Sequence, residues 1–295
     1  MRVVVLGTAA GGGFPQWNCA CSPCALARKG LLPSRSQDCL AVSGNGSDWW
    51  LLNASPDIRV QLVGSPEFTP GPGRRDTPLR GVLLTSAELD HSLGVFSLRE
   101  GGGQTLYAPA NALSALRSNL GLGPVLDNYA GWSWHETVPE QPFELTGELV
   151  ATAHAVGVKR PKYAGEQPGP WVVAYRIHDP VTGGTLLYAP CLASWSADFE
   201  ALLAGVDCLL LDGTFCSTDE MGVRTGHTKG QSAMGHLPVF GDGGSLPELR
   251  RFPAMRRIYT HLNNTNPLLD PASPESAEIA AAGVEVVPDG TVVTL

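Results

Sequence analysis

Four side chains that can bind a metal ion follow short apolar runs at three places in the chain. They are Asp90, His91, Asp212 and His261, and the runs before them are Val82–Thr85, Cys208–Leu211 and Arg257–Thr260. Each run has the length and the aliphatic content of a buried strand. Because ligands bind at the carboxyl ends of strands in open α/β sheets, we expect these side chains to meet at one edge. Two carboxylates with two imidazoles are typical of non-haem iron, manganese or zinc sites.

Simpler roles are open for some of these residues. Asp90 is a good helix N-cap, and His91 would then be a surface histidine. Asp212, which precedes Gly213, suits a turn at the end of a strand. The recurrence of the pattern after three strands favours metal binding over both roles.

Three of the seven cysteines, Cys19, Cys21 and Cys24, lie within six positions of the chain. An odd total excludes a complete disulfide framework, and such crowding is typical of metal ligation in a reducing compartment. Thiolates suit zinc, which takes four tetrahedral ligands. The loop therefore predicts a structural Zn²⁺ site with three protein thiolates and one further ligand.

The composition excludes several classes of protein. The 295 residues include 20 Lys and Arg against 28 Asp and Glu, and the net charge of −8 argues against a nucleic-acid or anionic-membrane partner. No apolar stretch approaches the roughly 20 residues of a membrane-spanning helix, and the apolar part of Met1–Gly7 is too short for a signal peptide. The sequence therefore predicts a cytoplasmic protein with no membrane partner. The basic cluster Lys159–Tyr163 is a local exception that suits either an acidic substrate or a solvated turn.

Strand-like and helical segments are mixed along the whole chain, without a repeat or a linker. The remaining predicted strands are Val3–Leu6, Trp49–Leu52, Leu149–Thr152, Trp171–Ile177, Thr185–Tyr188 and Val284–Val287. The predicted helices are Ala110–Leu120, Ala193–Leu203 and Ser273–Ala282. This mixture predicts one layered α/β domain over residues 1–295.

The strand ends together resemble the metallo-β-lactamase superfamily, whose fold is a four-layer αβ/βα sandwich with metal ions at one edge of two facing sheets. In that superfamily a Thr-His-x-His-x-Asp-His stretch follows a strand and serves two metal ions. The matching stretch here is Thr85–His91, in which Ser86 and Glu88 replace the first two histidines. The window Val156–Lys159, where the next histidine is expected, contains none.

The resemblance implies that the first metal site is lost and that the second is retained. Asp90 and His91 match the second-site residues of the stretch, Asp212 matches the bridging aspartate of the superfamily, and His261 matches its last histidine. Two-metal hydrolases use both ions to generate hydroxide and to bind the reacting oxygen. The sequence therefore disfavours a hydrolase.

Five stretches are similar to the pyrroloquinoline quinone (PQQ) biosynthesis protein B family. They are Gly7–Cys19, Leu98–Gly101, Asp219–Met221, Met234–His236 and His261–Pro267. This resemblance implies an iron-dependent, oxygen-consuming hydroxylation of the tyrosine ring in a Glu-Tyr precursor, with Fe²⁺ at the second site. The alternative implied for the family is a non-catalytic carrier that takes part in transport of PQQ or its precursor to the periplasm.

The resemblance also implies roles for further side chains. His236 would lie at the cleft as a general acid or substrate contact. Glu88 would touch the metal or the substrate, or would remain a solvated carboxylate. Relatives with the cysteine loop often place a histidine where this chain has Asn264, so Asn264, His261, Cys39 or a water molecule is open as the fourth zinc ligand. The implied small-molecule partners are a Glu-Tyr-derived substrate and O₂, and a homodimer is open.

Overall fold

The computed structural model describes residues 1–129, 131–225 and 234–295; His227, whose role the sequence leaves open, lies outside them. Strands account for most of the regular structure in these residues. They are β1 (Arg2–Gly7), β2 (Cys39–Ser43), β3 (Trp49–Leu52), β4 (Leu79–Leu83), β5 (Thr105–Pro109), β6 (Ser133–Thr137), β7 (Pro142–Leu145), β8 (Leu149–Gly157), β9 (Val172–His178), β10 (Thr185–Ala189), β11 (Cys208–Asp212), β12 (Arg256–Thr260), β13 (Val284–Glu285) and β14 (Thr291–Thr294).

Short helices connect the strands. The α-helices of the described residues are α1 (Ser22–Arg28), α2 (Ile58–Val63), α3 (Leu89–Ser92), α4 (Gly94–Ser97), α5 (Ala110–Ser114), α6 (Leu122–Tyr129), α7 (Ala197–Ala201), α8 (Glu220–Thr225), α9 (Ser245–Leu249) and α10 (Pro274–Ala281). Short 3₁₀ turns lie at Pro66–Phe68 and Pro267–Leu269. A π-helical segment, Ala115–Asn119, continues α5, so the predicted helix Ala110–Leu120 changes its winding halfway.

The strands of the described residues form two sheets of seven. The first has the order β14-β1-β2-β3-β4-β5-β6, and the second has the order β13-β12-β11-β10-β9-β8-β7. The series β3 to β6 is parallel, and so is the series β10 to β13. Because parallel neighbours end at the same edge, the carboxyl ends of β10, β11 and β12 lie side by side.

Three apolar clusters separate four layers of structure. Side chains alternate along β11: Leu210 belongs to the cluster between the sheets, and Leu209 and Leu211 belong to the cluster that also contains Ile279 of α10. A third cluster, which includes Leu126 of α6, covers the outer face of the first sheet. The order helix, sheet, sheet, helix confirms the predicted αβ/βα sandwich.

The predicted strands are all present, although β4 begins and ends before the predicted Val82–Thr85 and β8 continues to Gly157. The sequence did not indicate β2, β5, β6, β7 or β14; β6 and β7 are largely exposed and lack a continuous apolar run. The predicted helix Ala193–Leu203 begins only at Ala197. Ser196 Oγ accepts a hydrogen bond from the Phe199 N–H at 3.1 Å and so caps the helix there.

Two predictions about the whole chain are not tested by these elements. No helix in the described ranges is both long enough and apolar enough to cross a membrane. The assignment of residues 1–295 to a single domain and the cytoplasmic location stay predictions.

Candidate metal centre

Strand ends carry the predicted ligands to one edge of the sandwich. β11 ends at Asp212, and His261 follows β12 directly with a left-handed backbone (φ 58°). Asp90 and His91 lie in α3, which follows β4. His261 Nε2 lies 3.1 Å from Asp90 Oδ2, and His91 Nε2 lies 4.0 Å from the same oxygen. The structure therefore brings together side chains from both sheets. A left-handed non-glycine residue such as His261 is uncommon, and such residues cluster at functional sites.

His236 lies among the predicted ligands. Its Nδ1 is 2.8 Å from Asp212 Oδ2, and its ring stacks on that of His261 with centroids 5.3 Å apart. One donor atom from each of these three residues lies within 4.8 Å of the others, and all three are buried. Two imidazoles and one carboxylate are the ligand set of many non-haem iron oxygenases. His236, which the sequence suggested as a general acid or substrate contact, is thus also placed as a possible ligand.

Thr214 holds this group of side chains in place. Its Oγ1 donates to Asp212 Oδ1 at 2.6 Å and lies 2.8 Å from His261 Nδ1 and 3.1 Å from His236 Nδ1. The Leu192 N–H donates to Asp212 Oδ2 at 2.8 Å. Such outer hydrogen bonds fix the orientation of metal-binding side chains. Sequence reasoning missed Thr214, and its position two residues after Asp212 was the only signal.

The carboxylates and His91 have charge states that suit a metal ion. Burial opposes ionisation of Asp90, but the charge of His91 and the hydrogen bond from His261 lower the pKa of Asp90 overall. Burial likewise opposes ionisation of Asp212, and His236 lowers the pKa of that carboxyl overall. Burial lowers the pKa of His91 to about 4, although Asp90 opposes the shift. Ionised carboxylates and a neutral imidazole are the forms that bind metal ions. Burial opposes protonation of His261, but its contact with Asp90 raises the pKa of His261 overall, so a cation would have to displace that proton.

One buried atom, His91 Nε2, argues most directly for a bound cation. The other ring nitrogen, Nδ1, lies 2.9 Å from Ser86 Oγ and 3.2 Å from Thr85 Oγ1. Nε2 has no hydrogen-bond partner within the described residues. A buried polar atom without a partner costs free energy, which coordination by a cation removes. The residues present therefore fit a metal ion.

The two residues at superfamily histidine positions do not join the donor cluster. Ser86 supports a ligand histidine instead. Glu88 Oε1 lies 3.5 Å from Lys159 Nζ, and both side chains are partly exposed. Tyr163 OH donates to the Ala87 carbonyl at 2.6 Å and ties the basic cluster to this loop. The predicted basic cluster therefore lies at the rim of the centre, and Glu88 forms an ion pair there.

The predicted cysteine site is assembled in the structure. The Sγ atoms of Cys19, Cys21 and Cys24 lie within 4.8 Å of one another around the start of α1. Asn264 Nδ2 lies 3.5 Å from Cys24 Sγ and 3.7 Å from Cys21 Sγ. Of the residues open as the fourth ligand, Asn264 is the one in contact with these thiols. His261 lies in the other cluster, and Cys39 Sγ donates to the carbonyl of Asn53, the residue after β3, at 3.2 Å.

Cys191 is a donor that the sequence analysis did not single out. It follows β10, and one donor atom from each of His91, Cys191 and His261 lies within 4.8 Å of the others. β10 pairs in parallel with β11, so the two strands end at the same edge. The signal that indicated Asp212, a metal-binding side chain at the end of a buried strand, also applies to Cys191.

The fold and this edge define the class of the protein. A family model described as "Beta-lactamase superfamily domain" matches residues 48–262, and the chain belongs to that superfamily. The coenzyme PQQ synthesis protein B of Pseudomonas fluorescens (strain SBW25) is 39% identical over 303 residues, and that of Azoarcus sp. (strain BH72) is 40% identical over 310 residues. Both alignments cover 100% of each chain. The chain belongs to the coenzyme PQQ synthesis protein B family.

Comparison with solved structures supports the same family assignment. The crystal structure of Zn²⁺-bound PqqB from Methylobacterium extorquens matches with a TM-score of 0.93 and 38% identity over 100% of both chains. A diphosphatase from the PhnP family matches with a TM-score of 0.69 and 19% identity, over 99% of this chain and 97% of that one, and shows the shared fold alone. The family resemblance expected from the sequence is confirmed.

Proposed function

We propose that this chain acts in PQQ biosynthesis as a mononuclear non-haem iron hydroxylase. Its substrate is a Glu-Tyr-derived compound, and the reaction adds oxygen to the tyrosine ring. The observation that carries the proposal is a single cluster of carboxylates and imidazoles at the strand edge, in which His91, Asp212 and His261 are buried and Asp90 is partly exposed. Ser86 and Glu88 stand where a second metal would need histidines, which argues against dinuclear hydrolysis. Family membership supports the place in PQQ biosynthesis.

The residues that would hold iron are those already described at the edge. They are Asp90, His91, Asp212 and His261. Mixed carboxylate and imidazole donors suit Fe²⁺ and leave positions open for small molecules. Iron bound by these residues would supply the activation of O₂ that a ring hydroxylation requires.

Lys159 provides the contact for an acidic substrate. Its aliphatic chain lies against Gly235, where an added Cβ would come 2.8 Å from the Lys159 Cδ, and its ammonium reaches Glu88 at the rim. A Glu-Tyr compound carries carboxylates that an ammonium group binds by charge-assisted hydrogen bonds. Glu88 holds Lys159 in position and yields it to the substrate carboxylate. Although the protein has a net charge of −8, Lys159 provides a local positive charge for an acidic substrate.

His236 acts as the general base for the proton that leaves the ring. Its hydrogen-bond contacts with Asp212 and Thr214 fix the imidazole orientation, as a general base requires. In the overall reaction one atom of O₂ replaces the ring C–H with C–OH. The other oxygen atom leaves as water, and an external reductant supplies two electrons together with two protons. His236 accepts the ring proton and returns it to the new ring oxygen, where it becomes the hydroxyl proton.

The cysteine loop has a structural role in this proposal. Zn²⁺ held by Cys19, Cys21 and Cys24, with Asn264 beside them, ties the first loop to the segment that follows His261. A closed site of this kind contributes folding free energy and leaves no position for a substrate.

The test is anaerobic reconstitution with Fe²⁺ of protein that keeps zinc in the cysteine loop. O₂, a two-electron reductant and a Glu-Tyr dipeptide are then added, and the product is analysed by mass spectrometry. We expect O₂ consumption and a gain of one oxygen atom on the tyrosine ring. Asp90→Ala abolishes both, whereas Asp242→Ala, which removes an exposed carboxylate, changes neither.

The carrier alternative makes the opposite prediction. A carrier binds PQQ with nearly the same affinity in the wild-type protein and in Asp90→Ala, and it consumes no O₂. Iron-loaded wild-type protein that takes up no oxygen and forms no hydroxylated product contradicts the proposed reaction.

A further inference from the structure

Cys191 lies at the metal centre without a role in the proposed reaction. It follows β10 at the edge where β11 ends, and it is partly exposed. The thiols of Cys39 and Cys216 contact protein oxygens at 3.2 and 3.1 Å. Within the described residues no hydrogen bond involves the Cys191 thiol. Its neighbours at donor distance are instead the imidazoles of His91 and His261.

A second observation at the same place points to a cation. His91 is 1% exposed, and its Nε2 lacks a hydrogen-bond partner in the described part of the chain. Because Ser86 and Thr85 occupy Nδ1, Nε2 is the nitrogen left for a ligand bond. His261 is engaged through Nδ1 with Thr214 Oγ1, so its Nε2 faces Asp90 and the centre. Two oriented imidazoles and a thiol thus converge.

We propose that Cys191 is a ligand at this centre, forming with His91 and His261 a soft donor set that binds Zn²⁺. A thiolate with two imidazoles is a donor set that zinc favours. The thiol releases its proton to solvent when it binds the cation.

This set shares His91 and His261 with the four residues that would hold iron in the proposed hydroxylase, the other two being Asp90 and Asp212. His261 has one nitrogen free for a cation, so the two sets compete for it. Zinc held through Cys191 therefore excludes iron. The occupancy of the centre then depends on the relative concentrations of the two metals. This inference rests on the proposed function, since the iron set is that of the proposed hydroxylase.

The test compares wild-type protein with Cys191→Ala and Cys191→Ser, each with zinc already in the cysteine loop. Cys208→Ala is the matched control, because Cys208 is buried between the sheets, away from both metal sites. Zn²⁺ and Fe²⁺ affinities of the second site are measured anaerobically by chelator competition. Co²⁺ is added separately to record the sulfur-to-metal charge-transfer absorption.

We expect both Cys191 variants to bind zinc at the second site about 10-fold to 100-fold more weakly. Losses of this size are found when even a residue that only supports the ligands of a metal site is mutated. The Fe²⁺ affinity stays within about 2-fold of wild type, because carboxylates and imidazoles provide that set. The charge-transfer absorption of Co²⁺ at the second site disappears in the variants and persists in Cys208→Ala.

The possible outcomes separate this inference from the proposed function. Unchanged zinc affinity and unchanged absorption in Cys191→Ala overturn the ligand role and leave the hydroxylase proposal intact. If Cys191→Ala loses zinc and iron affinity equally, Cys191 does not favour zinc over iron, and that part of the inference is overturned. Wild-type protein that binds no cation beyond the cysteine loop overturns both proposals.

Discussion

The carboxylate of Asp38 accepts a hydrogen bond from the hydroxyl of Thr260, the residue that precedes His261. It also accepts one from Tyr188 OH. Asp38 belongs to the loop before β2 in the first sheet, whereas Thr260 and Tyr188 belong to β12 and β10 in the second. Burial raises the pKa of Asp38 to about 6. A buried acidic group therefore joins the two sheets through the residue next to His261.

Hydrogen bonds link Tyr188 further to the loop that carries His91. Asn53 Nδ2 donates to Tyr188 OH at 3.1 Å, and Asn53 Oδ1 accepts from the N–H and the hydroxyl of Thr85 at 2.9 and 3.0 Å. Thr85 Oγ1 in turn lies 3.2 Å from His91 Nδ1. One buried network thus supports the strand that presents His261 and the loop that presents His91.

Asp38→Ala should destabilise the protein and weaken the second metal site together. The substitution leaves two buried hydroxyls without an acceptor, and we expect a loss of about 2–4 kcal/mol in the free energy of unfolding. Asp38→Asn keeps the shape and one acceptor, so its loss should be nearer about 1 kcal/mol. Urea unfolding measures the loss of stability, and chelator competition measures the affinity for Fe²⁺. Equal stability of Asp38→Ala and the exposed control Asp242→Ala would contradict the role of this network.

The ligands at the metal edge could be predicted because each follows a strand that the sequence reveals. The apolar runs before Asp212 and His261 are fully buried strands, and the sheet rule places their ends together. Asp90 and His91 also follow a strand-like run, and the superfamily stretch matches the same two residues. The cysteine loop could be predicted because its three thiols are close in sequence.

The supporting contacts could not be predicted because they depend on pairing between distant segments. Asp38 and Thr260 are 222 residues apart, and nothing around Asp38 in the sequence indicates that two hydroxyls from the other sheet will reach it. Cys191 carried a readable signal, its place after β10, but its distance to His91 depends on how the two sheets face each other. The family resemblance alone placed His236 at the cleft, because the sequence immediately before it contains no strand-like apolar run.

Ser86→Ala should lower the affinity of the second site for Fe²⁺ by about 10-fold to 100-fold, because Ser86 Oγ orients the His91 ring through a 2.9 Å contact. Ser92→Ala is the matched control. Ser92 lies in α3 next to His91, but its hydroxyl donates to the Glu88 carbonyl and does not hydrogen-bond to the His91 ring. Chelator competition measures the affinity. A similar loss in both variants would show that the loop, rather than the Ser86 contact, matters.

Cys24→Ala should remove zinc from the cysteine loop and lower the stability. Cys24 is fully buried in α1, and a structural zinc adds its binding free energy to the free energy of folding. We expect about one fewer zinc per chain by elemental analysis and a lower urea midpoint. Cys208→Ala should keep the zinc content of wild type. Tight zinc retention by Cys24→Ala after dialysis against a chelator would refute a three-thiolate site.

The buried Glu220 should make the stability fall as the pH rises. Burial raises its pKa from 4.5 to about 7, against the hydrogen bonds from Thr265 Oγ1 at 2.5 Å and the Cys216 N–H at 2.7 Å. The folded state therefore holds a proton that the unfolded state releases, and the stability contributed below pH 4.5 is lost as the pH passes through about 7. At about 1.4 kcal/mol per pKa unit, the loss is up to about 3 kcal/mol.

Glu220→Gln should flatten this dependence, since the amide keeps one acceptor for the Cys216 N–H and cannot ionise. Urea unfolding of the zinc-loaded protein between pH 5 and about 8 measures the slope. Glu166→Gln, which alters an exposed carboxylate, should keep the wild-type slope. The explanation fails if Glu220→Gln loses as much stability over this range as the wild-type protein does.

Lys159→Met should raise the KM for a Glu-Tyr substrate by about 10-fold with little change in kcat, because it removes the charge that binds a substrate carboxylate and keeps the chain length. Glu88→Gln should lower the KM, since it frees the Lys159 ammonium from the contact at 3.5 Å. Lys162→Met is the control, because Lys162 is exposed in the same basic cluster. A substrate with esterified carboxylates should not distinguish Lys159→Met from wild type. If the ester shows the same rise in KM, Lys159 shapes the rim of the centre without binding the carboxylate.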